Sequence, residues 1–344
     1  MRFPASIPHW FILRGFVLLI LTVAAAGLGE QAQPAAASTN WQAIVGGQTK
    51  DAAVVALGFF PYELTVDAGD SVTWTFNSDE IHTVTFSSDS VSPAMADSGV
   101  RTEASPPFTV AFPSAGDFSF HCRIHATMSG TIHVQPSGTP YPHDQHFYTK
   151  QGKEELDDVL DDGQKDLQEQ RDDARDGPRN AVTLGKDDIS TNIPGVEESA
   201  YFIPRFLLDV RDVNVGDTVT WTTPDAFTPH TVTFGGLPPP PTPNFPPPNR
   251  NPVNLTGPGE QTSLNTPYPQ LGVGTLVSSG FLGNFAGTQG ATFNVTFNAP
   301  GTYRYYCELH RDLGMTGVIV VHARGEHEDN DQRRDKSGAA RGGF

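Results

Sequence analysis

Cysteine is scarce in this chain, with Cys122 and Cys307 the only two among 344 residues. In a secreted protein, two cysteines ordinarily suggest one disulfide. Here, however, each cysteine is followed three positions later by a histidine and soon afterwards by a methionine, once in each half of the chain. A disulfide would leave this double coincidence without a reason. The pattern therefore favours two separate thiol sites over one bond between them.

Positive charge is also in short supply. The chain has 22 lysines and arginines against 39 aspartates and glutamates, and its formal net charge is −17. Nucleic-acid phosphates require a basic surface, so this balance argues against nucleic acid as a partner. An acidic surface suits solubility outside the cell and attracts basic partners.

Apolar runs of membrane-spanning length are missing beyond the N-terminal segment. The apolar run at residues 16–26 follows Arg2 and Arg14 and precedes small residues at 35–38, an arrangement typical of a signal peptide. It is shorter than the roughly 20 residues that a bilayer span needs, and an uncleaved anchor is the alternative. No cysteine near the cleavage region is available for a lipid. We therefore expect residues 1–37 to be a signal peptide and the protein to be periplasmic or extracellular, with no membrane span after cleavage.

What the chain does contain is a concentrated set of metal ligands near its C-terminal end. Cys307, His310 and Met315 lie within nine positions, between an aromatic-rich strand and a β-branched strand. Two imidazoles, one thiolate and a weak axial thioether are the ligands that suit an electron-transfer copper ion. The second imidazole must come from elsewhere, and His230, at the start of an alternating strand, is the candidate.

The same ligand set occurs once earlier in the chain, as His82, Cys122, His125 and Met128. Both copies also share a front half, with Gly-Asp-Ser-Val-Thr-Trp at 69–74 matched by a near-identical stretch at 216–221. These motifs resemble the cupredoxins, the small blue-copper proteins. The tighter spacing of the first copy is similar to amicyanin, and the wider spacing of the second is similar to plastocyanin. The resemblance covers residues 43–135 and 181–322.

The resemblance implies an all-β chain of two tandem Greek-key β-sandwiches. It also implies one copper ion in each domain, two in all, and transfer of single electrons between redox partner proteins. By the same resemblance, His125 and His310 lie near the surface, where electrons leave. Neither the partners nor the oligomeric state can be read from the sequence.

Two other functions are compatible with some of these residues. An exported copper carrier or scavenger would use the same ligands. A copper enzyme fits less well, because multicopper oxidases place histidines on both sides of the ligand cysteine and add His-x-His pairs, which this chain lacks. Copper nitrite reductases have a histidine just before the cysteine, as His121 is here, but also one shortly after the first ligand histidine, and none follows His82 closely. We therefore expect an electron carrier and no enzyme.

The pattern divides the chain into a first domain at 38–136, an acidic linker at 137–180 and a second domain at 181–323, with a proline-rich insertion at 237–252. A charged, glycine-rich tail at 324–344 is expected to be disordered. The linker has dense acidic charge and a thin apolar stripe, which predicts a solvated, partly helical segment, a docking segment being the alternative. Two largely independent copper centres follow from that prediction. Within the first domain, a strand is expected at 53–57, ended by Gly58.

Overall fold

In the computed structural model, the structure describes residues 38–86, 97–125, 128–188, 200–223, 228–235, 261–264, 277–283 and 292–323. The expected signal peptide at 1–37, the proline-rich insertion at 237–252 and the tail at 324–344 lie outside the described residues. Within the part of the chain that the structure describes, no helix is both long enough and apolar enough to cross a membrane.

Strands dominate the described chain, and one long helix divides them. The strands before the helix are β1 (Asn40–Gln48), β2 (Val55–Phe60), β3 (Glu63–Asp67), β4 (Ser71–Phe76), β5 (Thr85–Phe86), β6 (Phe108–Ala111), β7 (Gly116–His121) and β8 (Ser129–Gln135). Helix α1 spans Gln145–Asp176. The strands after it are β9 (Ala181–Leu184), β10 (Ala200–Phe202), β11 (Phe206–Leu207), β12 (Val210–Asn214), β13 (Thr218–Thr222), β14 (Thr233–Phe234), β15 (Gln261–Leu264), β16 (Val277–Ser278), β17 (Thr292–Phe297), β18 (Gly301–Tyr306) and β19 (Thr316–His322).

These strands form two β-sandwiches. The sheets of the first have the orders β10-β2-β1-β4-β6 and β3-β8-β7-β5, and those of the second have the orders β11-β9-β13-β17-β15 and β12-β19-β18-β14-β16. Neighbours that are not consecutive in sequence mark the crossovers of a Greek-key fold. In both sandwiches the strand that leads to the ligand cysteine is antiparallel to the strand that follows it, β7 with β8 and β18 with β19. The predicted all-β architecture with two sandwiches is confirmed.

Each sandwich is filled by the inward-facing residues of its two sheets, around one fully buried tryptophan. Trp74 packs edge-on against Phe86 and Phe120, with ring centroids 5.8 and 5.3 Å away. Trp221 makes the equivalent contacts with Phe234 and Tyr305, at 5.6 and 5.2 Å. These strand aromatics form the centre of each core.

The N-terminal strands differ from the expected ones. Strand β2 begins at Val55, continues through Gly58 and ends at Phe60, and it is preceded by the nine-residue strand β1, which sequence inspection did not define. Every residue of β2 is buried, and the strand is hydrogen-bonded on both edges, to β1 and to β10. This double pairing outweighs the weak strand preference of glycine, so Gly58 does not end the strand.

The linker is helical but not solvated, so that part of the prediction is wrong. Helix α1 has 32 residues, with Asp144 as its N-cap, whose side chain accepts a hydrogen bond from the N–H of Phe147. One face is buried at helical spacing: Tyr148, Gly152, Leu156, Val159, Gly163, Leu167 and Ala174. Two of these seven are glycines, which add nothing to an apolar stripe in the sequence but let the helix backbone approach its neighbour closely.

The helix packs into an apolar cluster, here called the shared cluster, that draws on both sandwiches. Its buried members are Ala53, Val54, Ala56, Phe60, Leu156, Val159, Leu167, Ala174, Tyr201, Ile203 and Leu207. Each buried leucine or valine side chain contributes about 1.5–3 kcal/mol. The two sandwiches are therefore joined by an apolar interface, so the premise for two largely independent copper centres, a solvated linker between the domains, is wrong.

Strand β10 crosses the expected boundary between the domains. It comes after the linker, in the range assigned to the second domain, but its residues Ala200–Phe202 pair antiparallel with Val55–Leu57 of β2. Phe202 is fully buried and belongs to the core of the first sandwich. The first sandwich is thus completed by a strand from the second half of the chain.

One buried carboxylate ties the start of the first sandwich to the segment before the helix. Asp70 Oδ1 accepts the N–H of Thr39 at 2.7 Å, and Oδ2 accepts Trp41 Nε1 at 2.9 Å, the N–H of Asp67 at 3.0 Å and the hydroxyl of Tyr141 at 2.9 Å. Burial raises the pKa of the Asp70 carboxyl, but these hydrogen bonds outweigh it and hold the pKa below its usual range.

The docking of helix α1 can be tested with one substitution, because a docked helix and a solvated helix predict opposite changes in the free energy of unfolding. In a solvated helix, Gly163→Ala would raise the free energy of unfolding by about 1 kcal/mol. Here the added Cβ would lie 2.3 Å from Val54 Cγ1 and 3.1 Å from the ring of Tyr201, so we expect a loss of about 1–3 kcal/mol. Urea unfolding followed by circular dichroism measures the difference. Glu169→Ala, at an exposed position of the same helix, is the control and should not be destabilising; a gain from Gly163→Ala would show that the helix does not pack on β2.

The hydrogen bonds to Asp70 predict how the free energy of unfolding depends on pH. Asp70→Asn should lower the free energy of unfolding at pH 7 by about 2 kcal/mol, because an amide NH₂ in place of either oxygen faces a donor. Since the folded pKa is depressed, the stabilisation is complete above the unfolded pKa of about 3.9 and is lost as the pH falls through the folded pKa. Denaturation curves from pH 7 to pH 3 should show the two proteins converging at the acid end. Asp217→Asn, where the carboxylate accepts the N–H of Asn214, should cost less; equal losses at both positions would contradict this assignment.

Candidate metal centres

The first predicted ligand set converges where β7 meets β8. His82 lies in an isolated bridge with Arg101, Cys122 directly follows β7, and His125 lies in the loop before β8. The three are buried, with one ligand atom of each within 4.8 Å of the others. Cys122 Sγ lies 3.7 Å from His125 Nδ1. Met128, the fourth predicted ligand, is fully buried beside the start of β8.

The second ligand set converges in the same way between β18 and β19. His230 lies in a bridge with Leu282, and its ligand atoms, with those of Cys307 and His310, also fall within 4.8 Å of one another. Cys307 Sγ is 3.5 Å from His310 Nδ1, which is itself 3.1 Å from His230 Nδ1. Met315 is fully buried. Six of the eight predicted ligands therefore lie in two buried His-Cys-His groups, and the two methionines, also buried, stay predicted ligands.

A backbone N–H points at each sulfur. The N–H of Thr83 donates to Cys122 Sγ and the N–H of Thr231 donates to Cys307 Sγ, both at 3.4 Å. These threonines directly follow the first histidine of each set, so the strand that carries the histidine also supplies the donor. Such a bond stabilises a thiolate and tunes a metal bound to it.

The two loops reach one backbone arrangement with different numbers of residues. In the first site the N–H of Cys122 donates to the carbonyl of Met128, and the N–H of Met128 to the carbonyl of His125, both at 3.0 Å. The second site repeats both bonds at 3.0 Å. Its two additional residues are accommodated by a 3₁₀ helix at Arg311–Leu313 and by Gly314, whose φ of 87° is left-handed. The different spacings thus change the loop and leave the hydrogen-bonded frame intact.

The thiols in both sites ionise readily, and thiolate is the form that binds metal. Burial raises the pKa of the Cys122 thiol, but hydrogen bonds and charges from His125 and His82 outweigh it and bring the pKa to about 4. The pKa of Cys307 is likewise well below its ordinary value, because the flanking His310 and His230 overcome the effect of burial.

The first histidine is held differently in the two sites. His82 Nε2 hydrogen-bonds to the hydroxyl of Ser78 at 2.9 Å, so Nδ1 is the ring nitrogen that remains available to bind a metal ion. Gly46 leaves room for this ring, because a Cβ there would lie 2.5 Å from Nε2. His82 Nδ1 is buried without a hydrogen-bond partner among the described residues, and such a ring nitrogen beside an ionised thiol fits a metal ion. In the second site it is His230 Nδ1 that faces the other ligands, 3.1 Å from His310 Nδ1, and the unpartnered nitrogen of His230 is Nε2.

A buried carboxylate lies behind His125. Glu80 Oε1 is 3.6 Å from His125 Nε2, and both side chains are less than a tenth exposed. Burial raises the pKa of Glu80, but the interaction with His125 and the positive charge of His310 outweigh it and lower the pKa to about 2. Glu80 is thus influenced by the second ligand histidine of each sandwich.

The expectation that His125 and His310 lie near the surface is wrong for this chain. Their relative exposures are 8% and 4%. The ring of His310 is packed against Phe202, with centroids 5.3 Å apart, and Phe202 belongs to the core of the first sandwich. The first sandwich thus covers His310, a contact that a resemblance to single-domain proteins does not anticipate.

His121, considered above as a bridge to a catalytic copper, lies at the end of β7 on the opposite side from the site. Its side chain is exposed while Cys122 beside it is buried. Successive residues of a strand point to opposite faces, which explains the difference.

Each β-sandwich thus holds a buried group of histidine and cysteine with a buried methionine nearby in sequence. This is the arrangement of a small metal-binding β-sandwich protein, and it occurs twice in the chain. A model of the family described as copper binding proteins, plastocyanin/azurin family, matches residues 47–135 and 279–322. Plastocyanin from Scenedesmus fuscus is 32% identical over 87 residues, which are 23% of this chain and 89% of that protein. Chloroplastic plastocyanin from Tetradesmus obliquus is 34% identical over 87 residues, 23% of this chain, but the match covers only 60% of its own length, less than two thirds.

The oxidised form of plastocyanin from Dryopteris crassirhizoma aligns with 23% identity over 27% of this chain and 99% of that one, with a TM-score of 0.23. The chain belongs to the plastocyanin/azurin family of copper-binding proteins. Its two His-Cys-His groups, one in each sandwich, fit one copper ion each.

Sequence inspection missed the polar residues around the ligands. Ser78 and Glu80 precede His82 in a stretch that looks like an ordinary polar loop, and nothing in the sequence marks them as buried. Asp187, also buried, accepts the N–H of Thr228 at 2.7 Å, two residues before His230. The one available signal was the position of Ser78 and Glu80 close to a predicted ligand.

The Ser78 hydroxyl makes a testable prediction. Ser78→Ala should weaken copper binding at the first site about 10- to 100-fold, because the hydrogen bond that orients His82 is lost. Titration in a Cys307→Ser background isolates the first site. Ser119→Ala, at an exposed position of β7, is the control and should bind as the parent does. Unchanged affinity in Ser78→Ala would show that the hydroxyl does not position the ligand.

Proposed function

We propose that this chain is an exported blue-copper protein that binds one copper ion in each sandwich and transfers single electrons between redox partner proteins. The proposed ligands are His82, Cys122, His125 and Met128 in the first site and His230, Cys307, His310 and Met315 in the second. The observation that carries the proposal is the repetition of one buried ligand group on one backbone frame.

The arrangement suits electron transfer more than catalysis. The four proposed ligands of each site are all buried, and a copper ion held by all four would have no open position for a substrate. Copper supplies a one-electron couple when bound. The chain supplies two things: a rigid β-sandwich that holds the donors through the change of charge, and an apolar surround that excludes water.

The rest of the proposal concerns location and organisation. We infer that residues 1–37 direct export to the periplasm or the exterior, and that residues 38–136 and 181–323 each form one copper domain. Strand β10 is the exception, because it belongs to the sheet of the first. The acidic surface favours basic redox partners.

A copper carrier would use the same ligands, and exchange behaviour distinguishes it from an electron carrier. An electron carrier holds its ion through repeated oxidation and reduction, whereas a carrier releases copper to an acceptor. Buried donors joined by short loops favour retention.

The proposal predicts the visible spectrum of the mature protein. Copper-loaded protein should contain two coppers and show an intense blue band from thiolate-to-copper charge transfer. Cys122→Ser and Cys307→Ser should each remove part of the band, and the double variant should remove all of it. Absorption with copper analysis measures this, and Ser119→Ala, outside both sites, should keep the full band. A colourless protein that binds no copper would contradict the proposal.

A further inference from the structure

The second metal centre meets the first sandwich at the end where its second histidine, His310, lies. His310 is buried, and the side chains around it include a residue of the first sandwich's core. Phe202, whose ring lies 5.3 Å from that of His310, is part of the first sandwich's core. Leu313, in the ligand loop of the second site, is 4% exposed and belongs to that same core. The ligand loop of the second site is thus inserted against the first sandwich.

An arginine fastens this contact. Arg205 Nη1 donates to the carbonyl of Leu313 at 2.7 Å, and Nη2 donates to the carbonyl of Asp51 in the β1–β2 connection. The same side chain therefore holds the ligand loop of the second site and a turn of the first sandwich. A contact held by a hydrogen-bonded side chain and an apolar anchor keeps a defined geometry.

Buried residues continue from this contact to the first site. Phe202 and Leu313 belong to the same core cluster as Cys122 and Met128, and all four side chains are buried. The contacts from the second site to the first therefore run through the protein interior, from His310 by way of Phe202 and Leu313 into the core that holds Cys122.

We infer that, with copper bound in both sites, one electron passes within the chain between them, across the contact that Phe202 makes with His310 and that Leu313 makes with the first sandwich's core. One site would lose the electron and the other would gain it, so one copper(I) and one copper(II) would exchange oxidation states and no atom would be transferred. External one-electron donors and acceptors would then reach the pair by a surface other than His310, which the first sandwich covers. The inference rests on the proposed function, since it requires both sites to be redox-active copper.

The test is whether electron exchange between the two sites occurs within one chain, which requires a rate that does not depend on protein concentration. Fully oxidised protein is given less than one electron per chain by a radiolytic pulse, and the oxidation state of each site is followed by freeze-quench electron paramagnetic resonance. Reference spectra of Cys122→Ser and Cys307→Ser identify the two sites. The expected result is a redistribution between the sites whose rate does not change on dilution. A rate that rises in proportion to protein concentration would overturn the inference.

Variants at the contact locate the path. Leu313→Asp places a charge in the first sandwich's core and should abolish the dilution-independent phase, provided that the blue band shows an intact second site. Arg205→Ala, which leaves every ligand in place, should slow the phase and serves if Leu313→Asp does not fold. Val210→Asp introduces the same charge on β12 at a position that is 51% exposed, and it should leave the phase unchanged. If the dilution-independent phase had the same rate in all three variants as in the parent protein, the inference would be overturned.

A second readout does not depend on electron transfer. With both sites oxidised, pulsed electron paramagnetic resonance should detect a dipolar interaction between the two copper(II) ions, absent from each single-cysteine variant and weakened in Leu313→Asp. If the protein binds no blue copper, the proposed function fails. If it has two blue sites but neither a dipolar interaction nor a dilution-independent phase, this inference alone fails.

Discussion

The burial of strand β2 on both faces is the constraint on which the arrangement of the whole chain depends. One face, with Val55, Leu57 and Phe59, belongs to the core of the first sandwich, and the other belongs to the shared cluster with helix α1. A strand so apolar cannot be left at a surface, because each exposed side chain would forgo about 1.5–3 kcal/mol. The helix and β10 cover it, and in doing so they bring the second sandwich against the first. The connection between the domains is therefore part of the core.

The packing of the two sandwiches against each other changes the surroundings of the ligand residues in this chain. In each sandwich the ligands stand on the same hydrogen-bonded frame, with a backbone N–H directed at the sulfur and paired bonds between the cysteine and methionine residues. Both His125 and His310, which the resemblance places near the surface, are buried, and Phe202 of the first sandwich's core packs against His310. The second site is thereby joined to the core of the first sandwich.

The differences between the sites lie around the ligands more than among them. His82 is oriented by Ser78, whereas His230 Nε2 has no hydrogen-bond partner among the described residues. His125 faces the carboxylate of Glu80, whereas His310 faces the ring of Phe202. Hydrogen bonds, charge and burial around a ligand set tune the metal that it holds, so we expect the two centres to differ in affinity and potential.

The sequence by itself determined the class of fold and the eight candidate ligands. Repeated motifs such as His-Thr-Val-Thr-Phe at 82–86 and 230–234 are local in the chain, and alternation of apolar residues reports directly on strands. Only the tertiary structure decided that helix α1 docks, that β10 joins the other sandwich and that His125 and His310 are buried. Glycines at 152 and 163 pack closely without any apolar signal, and Glu80 looks like an ordinary loop carboxylate in the sequence, although it is buried beside His125. Such contacts depend on residues far apart in sequence, and composition and spacing do not record them.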